Sequence, residues 1–186
     1  MRQAETASQC EWYLRKIAQG IRMSIYLVRH GQSVLNAAGI RHGREVDPPL
    51  TDLGIQQAKI AGDELRRLCD APPLILSSPA TRARLTADWI VRLTSGDHRP
   101  GIVALDERPY DSAMRTWAET CDHAAERAWA VIESMHVHMQ SVAVVVVTHA
   151  GVIKGLTAST VTPPNGSVTT LDAEKIDVRR AQEEKC

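Results

Sequence analysis

Residues 141–151 read SVAVVVVTHAG, and the valines in that stretch set the architecture. A strand with one wet face alternates apolar and polar side chains; this one is apolar in both rows, so layers must cover both faces of its sheet. The β-branched side chains favour an extended backbone. The run falls well short of the roughly 18 apolar residues that suggest a membrane span. It ends on Thr148 and His149, after which Ala150-Gly151 leads into a short helix over 152–159.

Outward from this strand, the same grammar repeats. SIYLVR (24–29) reads as a strand stopped by Gly31, and LILS (74–77) as a second. Ile102 to Leu105 is expected as a third short strand and 167–171 as the last. Between them lie helical patterns. Thr51 caps one, with Ala58, Ala61, Leu65 and Leu68 on its inner face, and Pro72-Pro73 stops it. Ser78 as N-cap and Pro79 as first residue start another, running to about Leu93. A third is expected from Trp117 to about His138, with Cys121, Ala125, Ala128, Ile132 and Met135 as its apolar stripe. Residues 32–49 read as a loop with a short helix after Ser33. Strands alternating with helices predict an α/β layered domain with a mostly parallel sheet, whose strand carboxyl ends carry the site. Arg29-His30, Ser77-Ser78 and Thr148-His149 all fall at such ends.

The bulk properties narrow the function class. Lys plus Arg and Asp plus Glu are both 22, which argues against a general nucleic-acid or anionic-membrane binder. Cys10, Cys69, Cys121 and Cys186 are far apart and form no C-x-x-C, so neither a zinc site nor a disulfide framework is expected and a cytoplasmic setting is the default. Residues 1–22 carry Cys10, Tyr13, Leu14, Ile17 and Ile21 at helical spacing and read as an accessory helix; 23–172 is the domain and 173–186 a polar tail. His136 and His138 form an H-x-H pair, but i and i+2 diverge on a helix, so a metal site there is not expected.

A histidine after a strand is more often structural than catalytic, and His30 alone would not argue for chemistry. Its company does. Leu27-Val28-Arg29-His30-Gly31-Gln32-Ser33 with Asn36, then Pro49-Leu50-Thr51 with Gly54 and Gln57-Ala58, then Leu76-Ser77-Ser78-Pro79 with Arg82-Ala83, then Val147-Thr148-His149-Ala150-Gly151 stand in one order. In this the chain resembles the histidine phosphatase superfamily over about residues 24–171. The resemblance implies a phosphoglycerate mutase-like three-layer fold and a phosphohistidine on His30. It carries Asn36 and Ala150 over as phosphate contacts, and Gly43, with Arg41 and His42, onto a substrate loop. Leu105-Asp106-Glu107-Arg108-Pro109-Tyr110 resembles the Glu-Arg-x-Tyr segment of the mutase branch. That makes Glu107 the expected general acid, Asp106 the alternative, and Arg108 and Tyr110 substrate contacts.

Elementary chemistry agrees with this set. Phosphoryl transfer needs positioning and positive charge, which Arg29 and Arg82 supply as bidentate forks. A nucleophilic His30 needs one ring nitrogen held as a donor, by a backbone carbonyl near Gly31, and the other free. His149 is placed to donate to the phosphoryl oxygens. The expected activity is hydrolysis of a small phosphorylated metabolite without metal or cofactor. Relatives that act as mutases are longer, with an extra basic segment after the acid, whereas here the interval from Tyr110 to Val142 holds only Arg115 and Arg127. Mutase-type transfer and a catalytically weak binding protein are the alternatives, and a homodimer is allowed for.

Overall fold

Val144, Val145, Val146 and Val147 have no exposed surface, as a strand without polar alternation requires. The computed structural model describes residues 24–137 and 143–171; the accessory helix expected at 1–22 and the tail at 173–186 lie outside the described residues. The elements in order are β1 (Ser24–Arg29), α1 (Val34–Ala37), α2 (Asp52–Leu68), β2 (Leu74–Ser77), α3 (Thr81–Thr94), β3 (Asp97–Arg99), a 3-10 turn (Val103–Leu105), β4 (Tyr110–Asp111), β5 (Thr116–Trp117), α4 (Cys121–Val137), β6 (Ala143–Thr148), α5 (Ala150–Thr157) and β7 (Val168–Leu171). The main sheet has five strands in the order β3-β2-β6-β1-β7, with β4 and β5 as a separate two-stranded ribbon. Only β7 runs antiparallel to its neighbour in the main sheet.

Period-two alternation divides the core. On one face Ile25, Leu27, Leu74, Leu76, Val144 and Val146 pack on Ala125, Ala128 and Ile132 of α4 and on Val152 and Leu156 of α5. On the other, Tyr26, Val28, Ile75, Val145 and Val147 pack on Ala61 and Leu65 of α2 and on Ala83, Ala87 and Ile90 of α3. The result is the three-layer arrangement with a mostly parallel sheet. Its small helix residues let the layers approach closely, and Gly155 of α5 has no room for a Cβ against the Cys121 carbonyl.

Four local expectations are corrected. Ile102 to Leu105 is not a strand. Its Ile102 N–H reaches the Ser77 carbonyl at 2.9 Å and the chain then winds into the 3-10 turn. The strand beside β2 is instead Asp97–Arg99, a polar segment that reads as a surface turn; His98 is tucked under it with Nε2 2.9 Å from Ser77 Oγ. Trp117 does not begin a helix. It pairs with Tyr110 across the β4–β5 ribbon, its ring 4.9 Å from the Tyr110 ring, and α4 starts only at Cys121. Finally α3 begins at Thr81, two residues after Pro79; the Ser78 hydroxyl accepts from Ala80 N–H at 3.2 Å while donating to Asp106 Oδ1, and Ala80 provides no side-chain cap. Asp47 takes over, accepting from Thr81 N–H and Oγ–H at 2.7 Å each. Leu68, expected inside, is 45% exposed at the last turn of α2.

Candidate active site

Parallel pairing brings three strand ends to one rim. The His30 N–H donates to the Thr148 carbonyl at 3.0 Å, and the Ser78 N–H to the Val147 carbonyl at 3.1 Å. His30 is thereby seated beyond β1, 4% exposed. Its carbonyl accepts from Gly166 N–H at 3.2 Å and Asn165 Nδ2 at 3.1 Å. The next residues are held just as firmly. Gly31 N–H donates to Thr86 Oγ1 at 3.0 Å, and Gln32 is bonded through N–H to Gln57 Oε1 at 2.8 Å and through its carbonyl to Thr51 N–H at 2.9 Å. Gly31 has no space for a Cβ against the Gly54 carbonyl at the start of α2. The Thr51, Gly54 and Gln57 motif is therefore a cradle for the loop carrying His30, and none of the three lines the cleft.

The His30 ring lines that cleft with a defined tautomer. Nδ1 lies 2.7 Å from the Gly31 carbonyl, which can only accept, so Nδ1 carries the proton and Nε2 the lone pair. Burial, with the neighbouring His149 and Arg82 adding to it, holds the pKa well below the ordinary 6.5; the Gly31 carbonyl opposes this without reversing it. The ring is neutral, as a nucleophile must be.

His149 meets His30 edge to face, ring centres 5.0 Å apart. It has no exposed surface. Its Nε2 lies 2.9 Å from Ser78 Oγ and 3.3 Å from Asp106 Oδ1, and its Nδ1 3.4 Å from Arg82 Nη2. Burial lowers its pKa most, while the Asp106 hydrogen bond pulls the other way.

Around these rings stands an excess of positive charge. The cleft has a volume of about 470 Å³; its walls include Arg29, Arg41, Arg82, Arg108 and Lys154, and the one carboxylate is Glu107. Arg82, 1% exposed, spends Nη1 on the Val46 carbonyl at 3.3 Å and Nη2 on the Gly43 carbonyl at 3.5 Å. Arg29 Nη1 donates to the Pro163 carbonyl at 2.7 Å. Among the described residues, the buried side-chain N and O atoms without a hydrogen-bond partner are the Nε of Arg29, Arg82 and Arg108. All three belong to guanidiniums of this cleft. Arg108 Nε stands 3.5 Å from Glu107 Oε1, whereas those of Arg29 and Arg82 have no hydrogen-bond partner; a buried donor left unpaired costs about 1–3 kcal/mol, so the cleft suits an added acceptor. Glu107 is 7% exposed; its Oε1 accepts from Arg108 N–H at 2.9 Å and its Oε2 from Gly151 N–H at 3.2 Å. A Cβ at Gly151 would meet the ends of the Glu107 and Arg108 side chains, so this glycine lets both lie against the start of α5.

The structure thus brings Arg29, His30, Asn36, Arg82, Glu107, Arg108, His149 and Ala150 to one cleft. Gly43 and Tyr110 are not on its walls. Gly43 stands behind Arg82 through its carbonyl, and Tyr110 supports Trp117, over whose ring the Arg108 guanidinium lies at 4.2 Å. Sequence reading passed over Lys154, Trp117 and Asn165 as cleft residues. Asn165 alone carried a signal, sitting in a Pro-Pro-Asn-Gly turn; it bridges the His30 carbonyl and, at 3.2 Å, Asn36 Oδ1. Among the described residues no group of three or more His, Cys, Asp and Glu converges as metal ligands would, and no helix is long and apolar enough to cross a membrane.

Comparison with known proteins agrees with this geometry. The family model described as histidine phosphatase superfamily (branch 1) matches residues 25–100 and 95–182. A probable fructose-2,6-bisphosphatase TIGAR A of Danio rerio is 34% identical over 84 residues, covering 45% of this chain and 32% of the relative. A 2,3-bisphosphoglycerate-dependent phosphoglycerate mutase of Nitrobacter hamburgensis is 34% identical over 105 residues, covering 51% of this chain and 50% of the relative. The matched part is thus half or less of the length of these relatives. Among solved structures, a mycobacterial glucosyl-3-phosphoglycerate phosphatase superposes with a TM-score of 0.71 at 23% identity, covering 81% of this chain and 91% of the other, which is a likeness of fold.

Proposed function

The chain belongs to the histidine phosphatase superfamily (branch 1), and on that premise we propose that it hydrolyses a small phosphomonoester through a phosphohistidine on His30. The observation carrying this reading is the cluster of Arg29, Arg82 and Arg108 guanidiniums, none with its hydrogen-bonding capacity used up within the chain, around a neutral histidine. A phosphoryl group offers the acceptor oxygens those donors lack, and its charge matches the basic walls.

The ester's phosphoryl oxygens bind Arg29, Arg82 and His149. The lone pair on His30 Nε2 attacks phosphorus as the P–O bond to the leaving oxygen breaks. Glu107, as the general acid, gives a proton to the leaving oxygen and becomes a carboxylate. His30, bonded to phosphorus through Nε2 and still protonated on Nδ1, shares its positive charge with the Gly31 carbonyl. Water then attacks, Glu107 takes one of its protons, the P–N bond breaks, and His30 returns neutral with inorganic phosphate as product.

Transfer to a second acceptor, as in a mutase, is the second reading. The Glu107-Arg108-Pro109-Tyr110 segment and the mutase relatives favour it. The brief interval between Tyr110 and β6, in which the described residues form the ribbon and α4, favours release to water. Function as a binding protein with little turnover is disfavoured by the complete set of side chains. A panel of phosphorylated metabolites, scored for both free phosphate and isomerised product with and without chelator, separates these. Free phosphate in excess of isomer, unaffected by chelator, is expected. Isomer in excess, chelator-sensitive turnover, or no turnover on any ester would overturn the reading.

A further inference from the structure

Asp106 is the buried carboxylate that the chemistry above leaves without a task. Its Oδ1 accepts from Ser78 Oγ–H at 3.0 Å and from Glu107 N–H at 2.9 Å, and lies 3.3 Å from His149 Nε2. Its backbone is clamped as well. Arg127 donates to the Asp106 carbonyl and to the Ala104 carbonyl, each at 2.6 Å, and is itself gripped by Glu119 at 2.9 and 3.0 Å. Thr148 Oγ–H reaches the Leu105 carbonyl at 2.6 Å, fastening the segment to the end of β6. Three donors converging on one carboxylate oxygen favour the anion, and although burial works against it, the His149 contact and the other hydrogen bonds hold Asp106 below the ordinary carboxylate range.

An ionised acceptor at this point fixes His149. A carboxylate can only accept, so Nε2 must carry a proton, and Nδ1 is then the nitrogen left for the cleft. The geometry points to Asp106 as a positioning residue that keeps His149 protonated on Nε2 and lets the ring hold a second proton on Nδ1 when a phosphoryl group enters. This rests on the phosphoryl-transfer reading above. The second proton is the one carried by the ester's monoanion, so binding leaves a dianionic ester facing an imidazolium whose charge is balanced by Asp106. His149 is faced by His30 from the end of β1, by Arg82 from α3, and by Asp106 and Glu107 from the segment after the 3-10 turn. Arg82 opposes a second proton and Asp106, which touches the ring, favours it; Glu107 favours it only while ionised, which as the acid it is not when the ester binds.

Asp106→Asn keeps the size and the accepting oxygen while removing the charge, so the fold is retained and the imidazolium loses its counter-ion. With 4-nitrophenyl phosphate, kcat is expected to fall about 10- to 100-fold, the range for loss of the outer partner of a ligating histidine. The alkaline limb of its pH profile should move to lower pH by about one unit or more. Ser78→Ala also loses a ring contact and slows the enzyme, but retains the carboxylate, so its alkaline limb should stay in place. Nitrogen NMR of the His149 ring, titrated with inorganic phosphate, should report two protonated nitrogens in the wild type and one in Asp106→Asn. An Asp106→Asn enzyme whose limb is unmoved, or whose His149 is still doubly protonated with phosphate, overturns the inference, whatever its rate. So does a Ser78→Ala limb displaced as far as that of Asp106→Asn. A wild type without turnover on any ester would sink the phosphoryl-transfer reading, and the NMR titration would still decide the Asp106–His149 link.

Discussion

Arg82 shows how a single residue is specified by what it leaves unsatisfied. Its terminal nitrogens are bound to loop carbonyls and its Nε is not, at 1% exposure. A lysine would keep the charge but lose the fork, so Arg82→Lys is expected to cost about 10²–10³ in kcat, as removal of a transition-state donor does. Steady-state kinetics on an aryl phosphate reads this directly, and near-normal turnover would exclude Arg82 from the clamp. Glu107 tests the other half of the chemistry. Glu107→Gln should slow alkyl phosphates by a further factor of about 10²–10⁴ over aryl phosphates, whose leaving groups need no proton. Equal losses on both would remove it as the acid. Arg29, His30 and His149 were legible through the company they keep, as motifs that follow strands in one order, and not one by one. Asp106 was legible only as a second carboxylate beside Glu107, since nothing in a linear sequence says that Ser78, a strand and a helix away, would donate to it.

At the scale of elements, the site depends on two close approaches, one of backbone to backbone and one of backbone to side chains. Gly31 sits against the first turn of α2, and Gly151 gives Glu107 and Arg108 their space at the start of α5. Gly31→Ala is expected to destabilise by about 1–3 kcal/mol, as overpacking does, and to weaken phosphate binding by displacing His30. Urea denaturation and phosphate titration measure both effects; an unchanged protein would mean the approach is slack. The α/β layering, β1, β2, β6 and the core faces of α2 and α4 could be read from apolar patterning, and α3 from its start signals, because buried strands and apolar helix stripes carry that signal directly. The edges could not. Asp97–Arg99 is polar because an edge strand needs no apolar face, and Thr116–Trp117 reads as helix because a two-residue strand is too short to show a period. The start of α3 was obscured because Ser78, the natural cap, reaches Ala80 N–H but not Thr81 N–H, which Asp47 takes from a loop far away in the sequence.

For the molecule as a whole, a neutral net charge conceals a strongly basic cleft whose two buried histidines, His30 and His149, have no charge of their own. Both are held below 6.5 in the folded chain. Between those depressed values and 6.5 the unfolded chain binds protons that the folded chain refuses, so stability is full above about 6.5 and falls as the pH drops below it. Urea midpoints should therefore decline from pH 7.5 to pH 5.5, and His30→Asn should flatten the decline; a flat wild-type profile would contradict the buried neutral rings. The central claim is that His30 Nε2 takes the phosphoryl group. Rapid acid-free quenching of the enzyme with a labelled aryl phosphate, followed by mass spectrometry of its peptides, tests it most directly. The expected result is an acid-labile, alkali-stable phosphoryl group on His30 that forms and decays fast enough to account for turnover and is absent from His30→Asn. Turnover with no such intermediate, or a label on any other residue, would contradict it.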